Sequence, residues 1–112
     1  VAFVCTGAAL LSKPGLLDHR RATSNKTAWD WVVGQRNGVD WDCSPRWVHL
    51  IDKETQTGII TSAGVSAGID MALALVADLD GEQVADNAAV FIEHNRVKNP
   101  ANDVFSYLAS AS

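Results

Sequence analysis

The sequence predicts an α/β fold. Apolar runs of strand length alternate with segments of helical periodicity, and the composition is that of an ordinary globular chain, 47% hydrophobic and 20% charged over 112 residues. Strands alternating with helices point to a sheet of mainly parallel strands, which puts any ligand site outside their carboxyl ends. The length suits one small domain rather than two, and neither an internal repeat nor a linker divides it.

The elements follow in order. Val1-Ala2-Phe3-Val4-Cys5 is an unbroken apolar run that reads as a fully buried strand. Such a strand needs neighbours on both edges, and the remaining chain supplies too few. Residues 1–112 are therefore expected to form the C-terminal part of a single domain, with the N-terminal part upstream or on a separate chain. Thr6 to Ser12 is Ala- and Leu-rich and predicts a short helix, stopped by Pro14 and a left-handed turn at Gly15. Arg21 to Ser24 reads as a short strand. Asn25 then caps a helix carrying Trp29, Val32, Val33 and Arg36 at helical spacing, with Trp29 in the core and Asn37-Gly38 as its end.

Trp47 to Ile51 and Ile59 to Thr61 read as strands joined, hairpin-like, by the polar loop Asp52 to Gly58. Ser66 is the expected cap of a helix with the stripe Ile69, Leu73 and Val76. Asp80 with Gln83 resembles a capping box opening a further helix with Val84, Ala88 and Phe91, both helices packing on the sheet. From Asn95 the chain turns polar and irregular until Val104 to Leu108 offers an apolar patch for docking.

Charge and cysteine usage exclude several function classes. A net charge of -4, with Lys and Arg scattered, leaves no footprint for nucleic acid or anionic lipid, so a small or neutral substrate is expected. No apolar run reaches the roughly 20 residues of a membrane span, and no signal-peptide pattern is visible. Two cysteines, Cys5 and Cys43, are too few for a disulfide framework, which favours a cytoplasmic chain. Those cysteines with His19, His49 and His94 lack metal-ligand spacing, and neither metal nor cofactor is expected. Asn25-Lys26-Thr27 forms a glycosylation sequon of the kind that arises often by chance.

Two nucleophiles compete. Cys5 stands where the first strand meets the helix of Thr6 to Ser12, and a helix N-terminus favours thiolate and can cradle an oxyanion. Gly7, Ala8 and Ala9 are small enough to leave room for a substrate. The plain alternative is an inert cysteine ending a core strand. Gly64-Val65-Ser66-Ala67-Gly68 is a formal G-x-S-x-G between a strand and a helix, the layout of a serine-hydrolase elbow. Its histidine would have to be His94, too close in sequence to leave room for the strands that carry an acid and a histidine. The plainer reading is a small-residue turn that lets a helix pack closely.

The run from Val4-Cys5-Thr6-Gly7 to Leu11, then Gly15-Leu16-Leu17-Asp18 and Arg21-Ala22-Thr23, resembles the nucleophile region of ThiJ/PfpI proteins. Arg46-Trp47-Val48 and Ile60 to Met71 resemble a second signature of the branch holding isocyanide hydratases and sensor domains of some AraC-type regulators. The resemblance runs from Val1 to about Glu93. It implies a flavodoxin-like (class I glutamine amidotransferase-like) three-layer sandwich, the cysteine on a strained elbow, and a homodimer. It makes Cys5 and Thr6 the catalytic positions and Gly7 the substrate-binding one, with Ser66 structural.

Two departures from the family pattern narrow the chemistry. The family's Thr-Thr-His pattern reads Thr23-Ser24-Asn25 here, and the histidine that protease-like members place after the cysteine is Thr6. No cysteine-histidine dyad follows from either source. The family's partner carboxylate would fall in the absent N-terminal half. The resemblance thus implies a hydratase in which Cys5 attacks an isonitrile carbon to give an N-formamide. The alternative is a ligand-binding or redox-sensing module in which Cys5 oxidises reversibly without turnover.

Overall fold

The computed structural model describes residues 2–52 and 57–110. Its strands are β1 (Ala2–Phe3), β2 (Arg21–Ala22), β3 (Asp40–Trp41), β4 (Trp47–Asp52) and β5 (Thr57–Ser62). Its helices are α1 (Gly7–Ser12), α2 (Trp29–Val33), α3 (Val65–Asp80), α4 (Glu82–Phe91) and α5 (Tyr107–Ser110). The fold is mixed α/β, as the alternation of patterns predicts.

The sheet is mixed rather than mainly parallel. Its order is β1-β5-β4, with β1 parallel to β5 and β4 antiparallel to it, and β2 and β3 form a separate parallel pair. The antiparallel register, Trp47 opposite Ser62 through Asp52 opposite Thr57, is that of the expected hairpin; most of its polar loop lies outside the described residues. β3 went unrecognised because two residues carry no period.

Among the described residues β1 is an edge strand, paired only with β5. Ala2 is exposed and Phe3 half-buried, in contrast to the fully buried strand expected from Val1 to Cys5, of which Val1 lies outside the described residues.

β5 is the hub of the packing because its side chains alternate between two cores. Ile59 packs with Leu11, Leu17, Ala22 and Val39 on one face, while Ile60 packs with Trp47 and Met71 on the other. The first face is covered by α1 and the loop after it, the second by α3. Gly15, with φ +85, makes the left-handed turn expected after α1.

Several helical expectations need correction. α2 is only five residues long, and Arg36 lies beyond it, paired with Asp18 through Nη2 and Oδ2 at 2.6 Å. Trp29 is half-buried at its start, edge-on to Trp41 with ring centroids 6.3 Å apart. In α3 the buried face is Ala67, Gly68, Asp70, Met71 and Leu73, while Ile69 faces solvent. The buried Asp70 displaced the stripe, since an apolar reading skips a carboxylate. Gly64, not Ser66, is the N-cap, and Ser66 lies exposed in the first turn.

No capping box forms at Asp80, which ends α3. Gly81, at φ +99, separates α3 from α4, and Gln83 bonds Asn87 instead. α4 packs on α3 through Ala85 and Ala89, leaving Val84 and Phe91 exposed, because its small residues allow the closer helix approach. The C-terminal segment docks through polar atoms: Arg46 N–H donates to Pro100 O at 2.7 Å and Asp103 N–H to Ser44 O at 2.8 Å. Val104, Phe105 and Tyr107 remain exposed.

Gly68 is where α3 meets the first strand most tightly. A Cβ there would sit 2.5 Å from Val4 Cγ1, and the neighbours belong to the segment that carries Cys5. Gly68→Ala is expected to destabilise by about 1–3 kcal/mol through overpacking. Gly34→Ala, where the added Cβ meets only ordinary contacts, should shift stability by less than about 1 kcal/mol. Urea unfolding of the two variants checks the difference.

Candidate active site

Cys5 follows β1 with φ 59, a left-handed conformation that costs a residue with a Cβ roughly 1–3 kcal/mol. The surroundings hold it there. Its N–H donates to Ala63 O at 2.8 Å, its carbonyl accepts from Ser24 Oγ at 2.6 Å, and Gly7 N–H closes the turn onto Val4 O at 3.0 Å. β5 and the loop after β2 thus grip the peptide groups on both sides of the cysteine. Cys5 as a residue is partly exposed.

Asn25 completes the arrangement. Its Oδ1 accepts from Thr27 N–H at 2.8 Å, Ala28 N–H at 3.1 Å and the Thr27 hydroxyl. These donors decide which way the amide faces, so the NH₂ end is turned to the sulfur. Nδ2 donates to Cys5 Sγ over 2.9 Å. A carboxamide has no proton-accepting nitrogen at neutral pH, so Asn25 serves a thiolate as a donor and does not act as its base. The expected capping of α2 by Asn25 is not made: the N-cap is Ala28 without a side-chain cap, and Asn25 instead closes the turn before the helix while reaching the thiol. The sequon nitrogen is the one bonded to Cys5, and a glycan there would replace one of its two N–H groups and place a sugar against the sulfur.

The other predicted positions surround the elbow in different ways. Thr6 is exposed, and its N–H has no hydrogen-bond partner among the described residues. Gly7 N–H is already used by Val4 O, and a Cβ on Gly7 would meet Phe3 Cδ1 at 3.0 Å, so its smallness admits the strand's own ring. Ala8 and Ala9 are buried in the core and leave no space for substrate, contrary to expectation. α1 is six residues long, and the direct donor to Sγ is Asn25.

Next to Asn25 lies a feature without a sequence signal. Lys26 is buried, with Nζ donating to Thr23 Oγ1 at 2.8 Å, Ser24 O at 3.0 Å and Pro45 O at 3.1 Å, and paired with Asp103 at 3.3 Å. Burial pushes the ammonium below the ordinary lysine range, opposed by the charge of Asp103. A cavity of about 260 Å³ adjoins it, walled by Asn25, Lys26, Arg46, Asp103, Phe105 and Leu108 among others. Burial of a lysine and an aspartate distant in sequence is invisible to any local pattern.

The serine-hydrolase arrangement is absent. Positive φ falls on Cys5 and not on Ser66, which has helical backbone. His94 Nε2 lies 2.8 Å from Asp70 Oδ1, in a buried cluster where Asp70 also accepts from Arg46 Nη2 at 2.6 Å and Val97 N–H at 2.9 Å. His19 is in a turn, and His49 is on β4 with Nδ1 3.6 Å from Asp78. Among the described residues no three His, Cys, Asp or Glu side chains group as metal ligands, and no helix is long and apolar enough to cross a membrane. No protein-family model matches the chain, and no curated protein matches it.

Asn25→Asp keeps an acceptor for Thr27 and Ala28 but replaces the donor at sulfur with a negative charge. Alkylation of Cys5 by iodoacetamide at neutral pH is expected to slow by about tenfold or more, because like charge disfavours thiolate. Peptide mass mapping over time measures it, with Cys43 as the internal reference.

Proposed function

We propose that this chain is the C-terminal part of a cytoplasmic, homodimeric, cysteine-dependent enzyme of the ThiJ/PfpI type, with flavodoxin-like architecture, that hydrates a small isonitrile to its N-formamide. The observation that carries the proposal is the Cys5 elbow, a left-handed cysteine with Asn25 Nδ2 aimed at its sulfur. The resemblance of the two motifs supplies the substrate class.

The chemistry asks for a soft nucleophile. Cys5 Sγ bonds to the terminal isonitrile carbon, and a proton from water adds to that carbon, giving a thioimidate. Water then adds to the same carbon, one of its protons passing to nitrogen and the other, released as the carbonyl forms, neutralising the hydroxide left by the first step. The C–S bond breaks with its electron pair returning to sulfur, and the formamide leaves. The overall change is addition of one water. The Thr6 N–H, which has no hydrogen-bond partner among the described residues, supplies a donor beside the cysteine for charge developing on the adduct, and Gly7 leaves room for the Phe3 ring. The carboxylate expected of the family belongs to the N-terminal part of the domain.

The complete protein should therefore turn over a simple alkyl isonitrile, measured as formamide formation. Cys5→Ser is expected to lower the rate at least about a hundredfold, since a serine hydroxyl without a base stays protonated, and Cys43→Ser should retain it. Wild-type turnover in Cys5→Ser, or fluorophosphonate labelling of Ser66, would contradict the mechanism. Reversible oxidation of Cys5 without any turnover would instead support the sensing module.

A further inference from the structure

The cavity beside Asn25 has three properties that together describe an occupant. First, Asn25 is both a wall of the cavity and the donor to Cys5 Sγ at 2.9 Å, so this one side chain links the cavity to the sulfur, which is not itself a wall. Second, its two cationic walls are already neutralised: Lys26 by Asp103 at 3.3 Å and Arg46 by Asp70 at 2.6 Å. A charged ligand would find each counter-charge already paired, although the buried Arg46 Nε has no hydrogen-bond partner among the described residues, so a full charge there would be poorly compensated. Third, the remaining walls include Phe105 and Leu108, and Phe105 is 51% exposed although its segment is firmly held.

That segment owes its position to polar anchors and not to the ring. Asp103 is tied to Lys26 and to Ser44 O, and its Oδ1 accepts from Phe105 N–H at 3.0 Å. Phe105 is thus presented on a fixed backbone without contributing much to the core. Packing among the described residues gives no reason for a large apolar side chain at that place, whereas contact with a ligand in the adjoining cavity gives one. At about 260 Å³ the cavity falls just below the range of about 300–1,000 Å³ that takes drug-sized ligands, which fits a single ring or a branched alkyl group.

We infer that this cavity is the specificity subsite of the Cys5 centre, that it takes the uncharged apolar substituent of the substrate, and that Phe105 is the residue that selects it. The inference rests on the reading of Cys5 as the nucleophile. It defines the substrate as a reactive carbon carrying a compact hydrophobic group.

The test labels the intact protein with N-methylmaleimide and N-benzylmaleimide in parallel, reading the initial rate at each cysteine by peptide mass mapping. The ratio of the two rates at Cys5 cancels changes in intrinsic thiol reactivity. Phe105→Ala is expected to lower the benzyl-to-methyl ratio at least about fivefold, from lost apolar contact. Phe105→Leu should restore part of it, and Leu10→Ala, on the exposed face of α1, should leave it at the wild-type value. A ratio in Phe105→Ala and Phe105→Leu equal to wild type overturns the subsite while leaving the nucleophile in place. Labelling of Cys5 no faster than Cys43 with both reagents overturns the nucleophile, and the subsite with it.

Discussion

The hydrogen bond from Cys5 N–H to Ala63 O, 2.8 Å long, is the constraint on which the site depends. It joins the end of β1 to the turn leaving β5 and holds a cysteine at φ 59, where its backbone is unfavourable. Ser24 Oγ grips the other side of the same residue at the Cys5 carbonyl. Two hydrogen bonds to one residue, from two different segments, are what a strained conformation needs in order to persist. The elbow in turn directs the sulfur toward Asn25, whose own amide is oriented by the start of the turn into α2.

Around this elbow, buried charge does the work that apolar packing does elsewhere. Lys26 and Asp103 fasten the C-terminal segment to the loop carrying Asn25, and Asp70 gathers Arg46, His94 and Val97 N–H against α3. Such pairs contribute little net stability once desolvation is counted, yet removing one partner leaves an uncompensated charge and is costly. Their effect here is to fix which segments meet.

Much of this was legible in the sequence, and the reasons for the misses are specific. The β4-β5 hairpin, the left-handed turn at Gly15 and the junction at Cys5 could be read because each depends on residues adjacent in the chain. The G-x-S-x-G run was rightly suspect: Gly68 is required by the close approach of Val4, a contact between distant segments. Asn25 reads as a cap of α2, yet it closes the turn before that helix and partners the thiol instead. Its only clue was its place after the strand that follows the elbow helix. Of the Ile69, Leu73 and Val76 stripe, Leu73 is buried and Val76 half-buried as expected, while Ile69 is exposed and a buried Asp70 takes the inner face, paired with residues far along the chain. No local period can reveal that pairing, and the same holds for Lys26 with Asp103.

The most direct measurement of whether this geometry produces a nucleophile compares the two cysteines of the unaltered protein. Both are partly exposed, so accessibility alone does not separate them, whereas only Cys5 has a strained backbone and an amide donor at sulfur. With limiting iodoacetamide at neutral pH, Cys5 is expected to be carboxamidomethylated at least about tenfold faster than Cys43, as an activated thiolate reacts ahead of an ordinary thiol. Equal rates, or earlier loss of Cys43, would contradict the claim that the elbow is built for chemistry.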